Sequence, residues 1–357
     1  MDKRASQRSE LEAQNVPVTQ DSKASRVAQR YVPTSTRLMD QVREALKYYG
    51  YARSTRDTYE SWVRAYVRFH LPKHPRDLNV AEIESYLNHL VHNRKVATST
   101  QQQAMHAVLF LYKRVLGVEL ERRIGAARST RKVRVPVVMS VAEVQRLLQA
   151  LQGQARLMAE LMYGSGLRVQ ELCRLRVKDV DFDGQRLLVY AGKGDKDRVT
   201  LLPASVHSRL REQIERVAEV HNRDLAKGHG EVHLPMALAR KYPNAGKQLA
   251  WQYLFPARTL SPDPEDGVVR RHHIDASALR KKVTEARRAV GIHKRVTPHT
   301  FRHSFATELL RNGTNIRVVQ ELMGHADVST TEIYTHVLAG ELNRVVSPLE
   351  RVGSLDS

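Results

Sequence analysis

The stretch ERRIGAARSTRKVRVP, residues 121 to 136, divides this chain. It is polar and strongly basic and carries no core pattern, which makes it the best linker candidate. On either side of it apolar residues return at helical spacing. A chain of 357 residues also exceeds what a single core usually organises. The pattern predicts two domains, at 37–120 and 137–340, joined by a basic linker at 121–136. A disordered basic tail is expected at 1–36, rich in Ser, Gln, Arg and Ala without a sustained period, and a second tail at 341–357.

The first domain reads as a helical bundle. Ser54 or Thr55 can cap a helix that carries Tyr59, Trp62, Val63, Tyr66, Val67 and Phe69 at spacings of three and four. Asn79, with Glu82 three residues on, introduces a second helix holding Ile83, Tyr86, Leu87 and Leu90. A third begins near Ser99 and includes Met105, Val108, Leu109, Leu111 and Tyr112. With an amphipathic segment over residues 38–49, these make a bundle of about four helices. Arg53, Arg56, Arg64, Arg68, Lys73, Arg94 and Lys95 fall outside the apolar stripes. Singly each is an ordinary solvated charge, but their common sign favours a phosphate-facing side for the group.

The second domain is expected to be mixed α+β around a small hairpin. Ser140 and Glu143 form a capping pair at its first helix, and the second helix ends at Gly164. Arg168 follows a glycine turn at the start of a third. QRLLVYAGKGDKDRVTLLP then reads as two strands about a Gly-Lys-Gly-Asp turn, with Lys193 at its tip. Another helix spans 210–220. The segment 221–275 mixes histidines, arginines, prolines and glycines with Trp251, Tyr253 and Phe255. Those alternating rings are either one face of a buried strand or stacking platforms for unpaired bases. A basic helix follows Ser277 and ends at Gly291.

Charge narrows the partner. With 58 Lys+Arg against 38 Asp+Glu the net charge is +20, which points to a polyanion and first to nucleic acid. The single cysteine, Cys173, excludes a disulfide framework and a cysteine-cluster zinc finger and is read as a small buried apolar residue. No apolar run approaches the roughly 20 residues of a membrane span, and the first 25 residues lack a signal-peptide core. A soluble protein of a reducing cytoplasm is expected.

The chemistry gathers between Thr297 and Tyr334. A helix starting near Pro298 places His299, Arg302 and His303 on one face, with Gly324-His325 and Tyr334 to follow. Arginine, histidine and tyrosine without matching carboxylates suit an anion such as a phosphodiester better than a metal ion. His299 and His303 have the spacing of a helical zinc pair, but Thr300 stands where that motif has Glu and no third ligand is evident. No metal or other cofactor is therefore expected, and His303 is read as structural.

Arg168, Lys193, His299-x-x-Arg302, Gly324-His325 and Tyr334 together resemble the tyrosine recombinases, over residues 37 to about 348. The stretches LARKYPNAG, WQYLFP and GVVRRHHID resemble the segment that sets integron integrases apart from Xer-type enzymes. The resemblance implies a mainly α protein, with a helical core-binding (SAM-like) bundle ahead of the α+β catalytic domain. It implies a site-specific recombinase working through a 3′-phosphotyrosine on DNA, both duplex attI-type and folded single-stranded attC-type sites, as a homotetramer on DNA. A segment after Tyr334, with Val337, Leu338, Leu342, Val345 and Val346, would dock on a neighbouring copy.

Carried onto this sequence, the family pattern makes Tyr334 the nucleophile. Arg168 and Arg302 become bidentate clamps on the non-bridging oxygens. His299 would be the base, Lys193 the acid for the leaving 5′-oxygen, and His325 a hydrogen-bond donor to the phosphate. Trp251, Arg270, Arg271, His272 and His273 are candidates for contacting extrahelical bases, although the two histidines read equally as surface residues. Arg53, Arg56 and Lys95 are candidates for the DNA backbone. A recombinase of duplex sites and a DNA-binding protein without chemistry are the competing readings.

Overall fold

The computed structural model describes residues 31–120, 124–127, 136–190, 197–234, 236–325 and 327–335. The described residues form two compact units, divided between Val133 and Arg134.

Among its described residues the first unit forms helices and no strands. Helices α1 (Leu38–Tyr48), α2 (Arg53–His70), α3 (Val80–His92) and α4 (Thr98–Phe110) bury Val42, Leu46, Val63, Tyr66, Ile83, Leu87 and Val108 together. The capping box expected at α3 is present: Ala81 N donates to Asn79 Oδ1 at 2.7 Å, and Asn79 N to Glu82 Oε2 at 2.9 Å. At α2 the expectation fails, because the helix starts at Arg53 after Ala52 and neither Ser54 nor Thr55 caps it. α4 runs on into a π-helical segment, Leu111–Leu116, that stops at Gly117 in the left-handed region (φ 68°). That turn directs Tyr112 inward, where its hydroxyl donates to the Pro75 carbonyl at 3.0 Å and lies 2.8 Å from that of Tyr66.

Part of each flanking stretch packs on this bundle. Residues 1–30 lie outside the described residues, but Tyr31 is buried and its hydroxyl donates to Glu44 Oε2 at 2.7 Å. Within the basic stretch 121–136, Ile124 and Ala126 pack against the helices, while Gly125 N and Ala127 N donate to Glu84 Oε1 and Asn88 Oδ1 at 2.6 and 2.8 Å. Residues 124–127 are thus tied to the bundle by their backbone, which the polar composition of the stretch had concealed.

The second unit opens with α5 (Val141–Ala150), held by the expected Ser140–Glu143 capping box. α6 (Gly153–Ser165) reaches one residue past the expected Gly164 and ends at Gly166, φ 62°. α7 (Val169–Arg174) has Arg168 as its N-cap residue. Strands β1 (Val180–Asp181), β2 (Arg186–Val189) and β3 (Arg198–Leu201) form an antiparallel sheet in which Leu187 faces Thr200 and Val189 faces Arg198. α8 (His207–Ala226) continues five residues beyond the expected start of the 221–275 segment. That segment holds α9 (Met236–Lys241) and a two-stranded sheet of β4 (Ser261–Pro262) and β5 (Val269–Arg270). α10 (Ala276–Ala289), α11 (Pro298–Arg311), α12 (Ile316–Met323) and α13 (Ser329–Glu332) complete the unit.

The predicted alternating strand at 251–255 does not form. Trp251 closes a 3-10 turn, Tyr253 bridges to Arg176, and Leu254 and Phe255 are both fully buried. The main core gathers Leu147, Met158, Leu161, Leu172, Phe255, Leu279, Val283 and Phe301, with α6 packed along α11. Cys173 is fully buried there, and that burial pushes its thiol up to about 11.

Candidate active site

Helix α11 begins with Pro298 at its first turn, so the backbone is preset for the helix and Arg302 and His303 emerge one turn later. Arg302 is 4% exposed, and its guanidinium donates to the carbonyls of Gly166 and Met323. One of its nitrogens also lies 3.2 Å from His325 Nε2. Glu171 stands at the centre of the cationic cluster. It accepts from the backbone N and Nη1 of Arg168, both at 2.7 Å, and from Nη1 and Nη2 of Arg198 at 2.8 and 2.6 Å. Burial alone would raise this carboxyl, but the Arg198 fork and Arg168 outweigh it and hold Glu171 at about 2. Arg168 reaches on to the Gly324 carbonyl at 3.3 Å, and Arg198 Nε to that of Leu322 at 3.0 Å.

Tyr334 closes the cluster. It is 2% exposed, packed with Phe305, Ala306, Val319 and Met323, and its hydroxyl lies 2.9 Å from His303 Nδ1. Burial raises its phenol, while Arg302 and Arg168 pull in the opposite direction. The His325 ring stacks on it with centroids 6.4 Å apart. A guanidinium can only donate, so His325 Nε2 accepts from Arg302, and Nδ1 carries the proton towards Thr331 Oγ1 at 2.8 Å. Burial, then Arg302, Arg168 and Arg198, lower His325 to about 4, so the ring is neutral.

Five of the six residues expected to do chemistry are therefore described, and Arg168, Arg302, His325 and Tyr334 meet. Lys193 lies outside the described residues. His299 is exposed, and its ring centroid is 6.5 Å from that of His303. It is His303, read from sequence as structural, that touches the tyrosine oxygen. Glu171 and Arg198 also belong to the cluster without being among the sequence candidates. The spacing Arg168-x-x-Glu171 carried a signal for the first, as it is the spacing of a capping box.

A groove of about 1160 Å³ adjoins Arg168, walled by Arg176, Lys178, Tyr190, Trp251, Tyr253, His272 and His273. Lys178 Nζ sits 4.7 Å from the Trp251 ring centroid and 4.1 Å from that of Tyr190, and Arg176 lies 4.8 Å from that of Tyr253. The His272 and His273 rings lie tilted against each other near Tyr253, with centroids 4.2 Å apart. Arg270 and Arg271, grouped with them from sequence, turn elsewhere. Arg270 pairs with Asp266 at 2.7 Å and Asp263 at 3.4 Å, and Arg271 forks onto Asp224 at 2.5 and 2.8 Å. Both guanidiniums are engaged in holding the segment together. In the first unit Arg53 and Lys95 are exposed and Arg56 is half-buried. Among the described residues no group of three or more His, Cys, Asp or Glu could hold a metal ion, and no helix is long and apolar enough to cross a membrane.

Residues 138–341 match the model of the phage integrase family, and residues 38–122 that of the phage integrase N-terminal SAM-like domain. The chain belongs to this family. It is a tyrosine recombinase, an enzyme that cleaves and rejoins DNA. The recombinase is 47% identical over 325 residues to an "Integrase/recombinase" of Escherichia coli, covering 90% of this chain and 96% of that one. It is 32% identical over 327 residues to the tyrosine recombinase XerD of Agrobacterium fabrum, covering 85% and 91%. In fold it is similar to a transposon integrase solved with transposon right-end DNA, with a TM-score of 0.59 at 16% identity, over 87% of this chain and 99% of that one.

Gly324 is a tight joint beside the cationic cluster of the recombinase. Its φ is 59°, and an added Cβ would stand 2.7 Å from Arg198 Cδ, on a side chain pinned by Leu322 and Glu171. Gly324→Ala is expected to cost about 1 to 3 kcal/mol. A thermal melt measures it, and an unchanged midpoint would mean that neither the left-handed backbone nor Arg198 resists the methyl group.

Proposed function

We propose that this recombinase is of the integron integrase type, integrating and excising gene cassettes at attI- and attC-type sites, folded single-stranded DNA included. Tyr334 attacks the scissile phosphate to leave a 3′-phosphotyrosine. Arg168 and Arg302 hold the non-bridging oxygens, Lys193 protonates the departing 5′-oxygen, and His325 donates to the phosphate from Nε2 once Arg302 releases that nitrogen and the ring changes tautomer, the Thr331 hydroxyl then donating to Nδ1. Four copies act together on two DNA partners in the bacterial cytoplasm.

The observation that supports the substrate is the groove beside Arg168. Rings from the 221–275 segment stand there under the cations Arg176 and Lys178, an arrangement suited to an unpaired base and its phosphate. Trp251, His272 and His273 are the proposed base contacts, and Arg53, Arg56 and Lys95 the proposed backbone contacts. A second reading, a recombinase of duplex sites, draws support from the 32% identity to XerD.

Trapping on a nicked suicide substrate decides between them. A folded bottom-strand hairpin and a duplex of the same sequence are each incubated with protein, and the covalent adduct is followed on a denaturing gel. The integron reading expects adduct mainly on the hairpin. Adduct on the duplex alone would establish the second reading, and salt-sensitive binding without any adduct would leave a DNA-binding protein.

A further inference from the structure

The proton on Tyr334 has an acceptor in place. A phenol must lose its proton as its oxygen bonds to phosphorus, and at neutral pH a free tyrosine, with its pKa of about 10, does not do so unaided. His299, exposed on the first turn of α11, is not the group bonded to that hydroxyl. His303, one turn further along the same helix, presents Nδ1 to Tyr334 Oη at 2.9 Å across a sequence separation of 31 residues. The ring is partly buried, its centroid 5.6 Å from that of the tyrosine. Of the charged or titratable groups around it, His299 and Arg302 lie on α11 itself, while His325 and Tyr334 come from the segments after α12 and α13.

We propose that His303 is the general base of DNA cleavage, taking the Tyr334 proton on Nδ1 as Oη attacks the scissile phosphorus. The proposal rests on Tyr334 being the nucleophile. In the step the Oη–H bond breaks and the Oη–P bond forms, while the P–O5′ bond breaks and the leaving oxygen receives its proton from the acid, proposed as Lys193. His303 ends as imidazolium with its other proton on Nε2. On rejoining it returns the Nδ1 proton to the tyrosine oxygen, so the cycle consumes no net proton. At rest, burial and then the neighbouring His299 and Arg302 lower the ring to about 4. A phosphodiester entering beside Arg302 brings a negative charge that offsets this cationic neighbour, so the ring becomes a better acceptor once DNA is bound.

The test uses His303→Gln in the full chain, whose amide oxygen can accept the tyrosine hydrogen bond but cannot hold a proton. Single-turnover adduct formation is measured on the nicked suicide substrate across roughly pH 6 to 9, with melting temperature as the check on folding. Adduct formation is expected to slow about 100-fold or more near neutrality and to climb with pH as hydroxide replaces the missing base, while the wild type stays flat. A substrate with a 5′-bridging phosphorothiolate, whose leaving group needs no proton, should not restore the rate. A wild-type rate, a uniform slowing without pH dependence, or rescue by the phosphorothiolate overturns the proposal. The same pH-dependent loss appearing in His299→Gln but not in His303→Gln also overturns it. If the glutamine variant melts early, His303→Ala with added imidazole replaces it, and acceleration proportional to imidazole is required. Tyr334→Phe separates the two levels: adduct surviving there removes the nucleophile reading itself, whereas its loss alongside an indifferent His303→Gln removes only the base.

Discussion

Tyr334→Phe is expected to bind DNA as the wild type does and to form no covalent adduct on a suicide substrate. The change removes one oxygen and nothing else. The ring keeps its place among Phe305, Ala306, Val319 and Met323, and the lost hydrogen bond to His303 costs the fold about 1 kcal/mol. Arg168, Arg302 and Glu171 make none of their hydrogen bonds through the tyrosine oxygen, so the cationic cluster persists. A gel shift together with a denaturing gel reads both halves of the prediction. Adduct at wild-type level would reassign the nucleophile.

Glu171→Gln is expected to destabilise the protein by about 3 to 5 kcal/mol, because it leaves the buried guanidiniums of Arg198 and Arg302 without their carboxylate. Urea unfolding at neutral pH measures it. The same carboxylate predicts a pH signature. Its folded value, about 2, lies below its ordinary 4.5, so its stabilisation is fully present above about 4.5 and is lost as pH falls towards 2. The shift corresponds to about 3 kcal/mol. The gap between wild type and Glu171→Gln should therefore narrow across that window, and a gap that stayed constant from pH 6 to about 3 would remove Glu171 as the counter-ion. Cleavage should fall as well, since Arg168 loses the partner that aims it.

What the sequence made legible was local. Both capping boxes, Asn79 with Glu82 and Ser140 with Glu143, depend on residues three apart, and so does the helix that starts at Pro298. The meeting of Arg168, Arg302, His325 and Tyr334 was legible only through the family resemblance, because their separations carry no local signal. His303 is hidden for the same reason: from sequence it looks like half of a zinc pair, and its actual partner lies after α13. Arg270 and Arg271 looked free because the residues that occupy them, Asp263, Asp266 and Asp224, are recognisable as partners only once the segment is folded. The rings at 251, 253 and 255 suggested a strand by alternation, but a turn ending at Trp251 sends Phe255 to the main core and leaves Trp251 at the groove.

Arg302 carries a second duty that affects how its variants will read. The two carbonyls it holds belong to Gly166, where α6 ends, and Met323, the last residue of α12. Helix ends leave such oxygens without partners, so one side chain fastens two helix C-termini while it also reaches His325. Replacing Arg302 would release both ends together with the loop bearing His325. A lost rate in such a variant would combine the loss of the proposed phosphate clamp with a loosened joint between two helices, and a lysine there, with one charge but no fork, could restore neither in full.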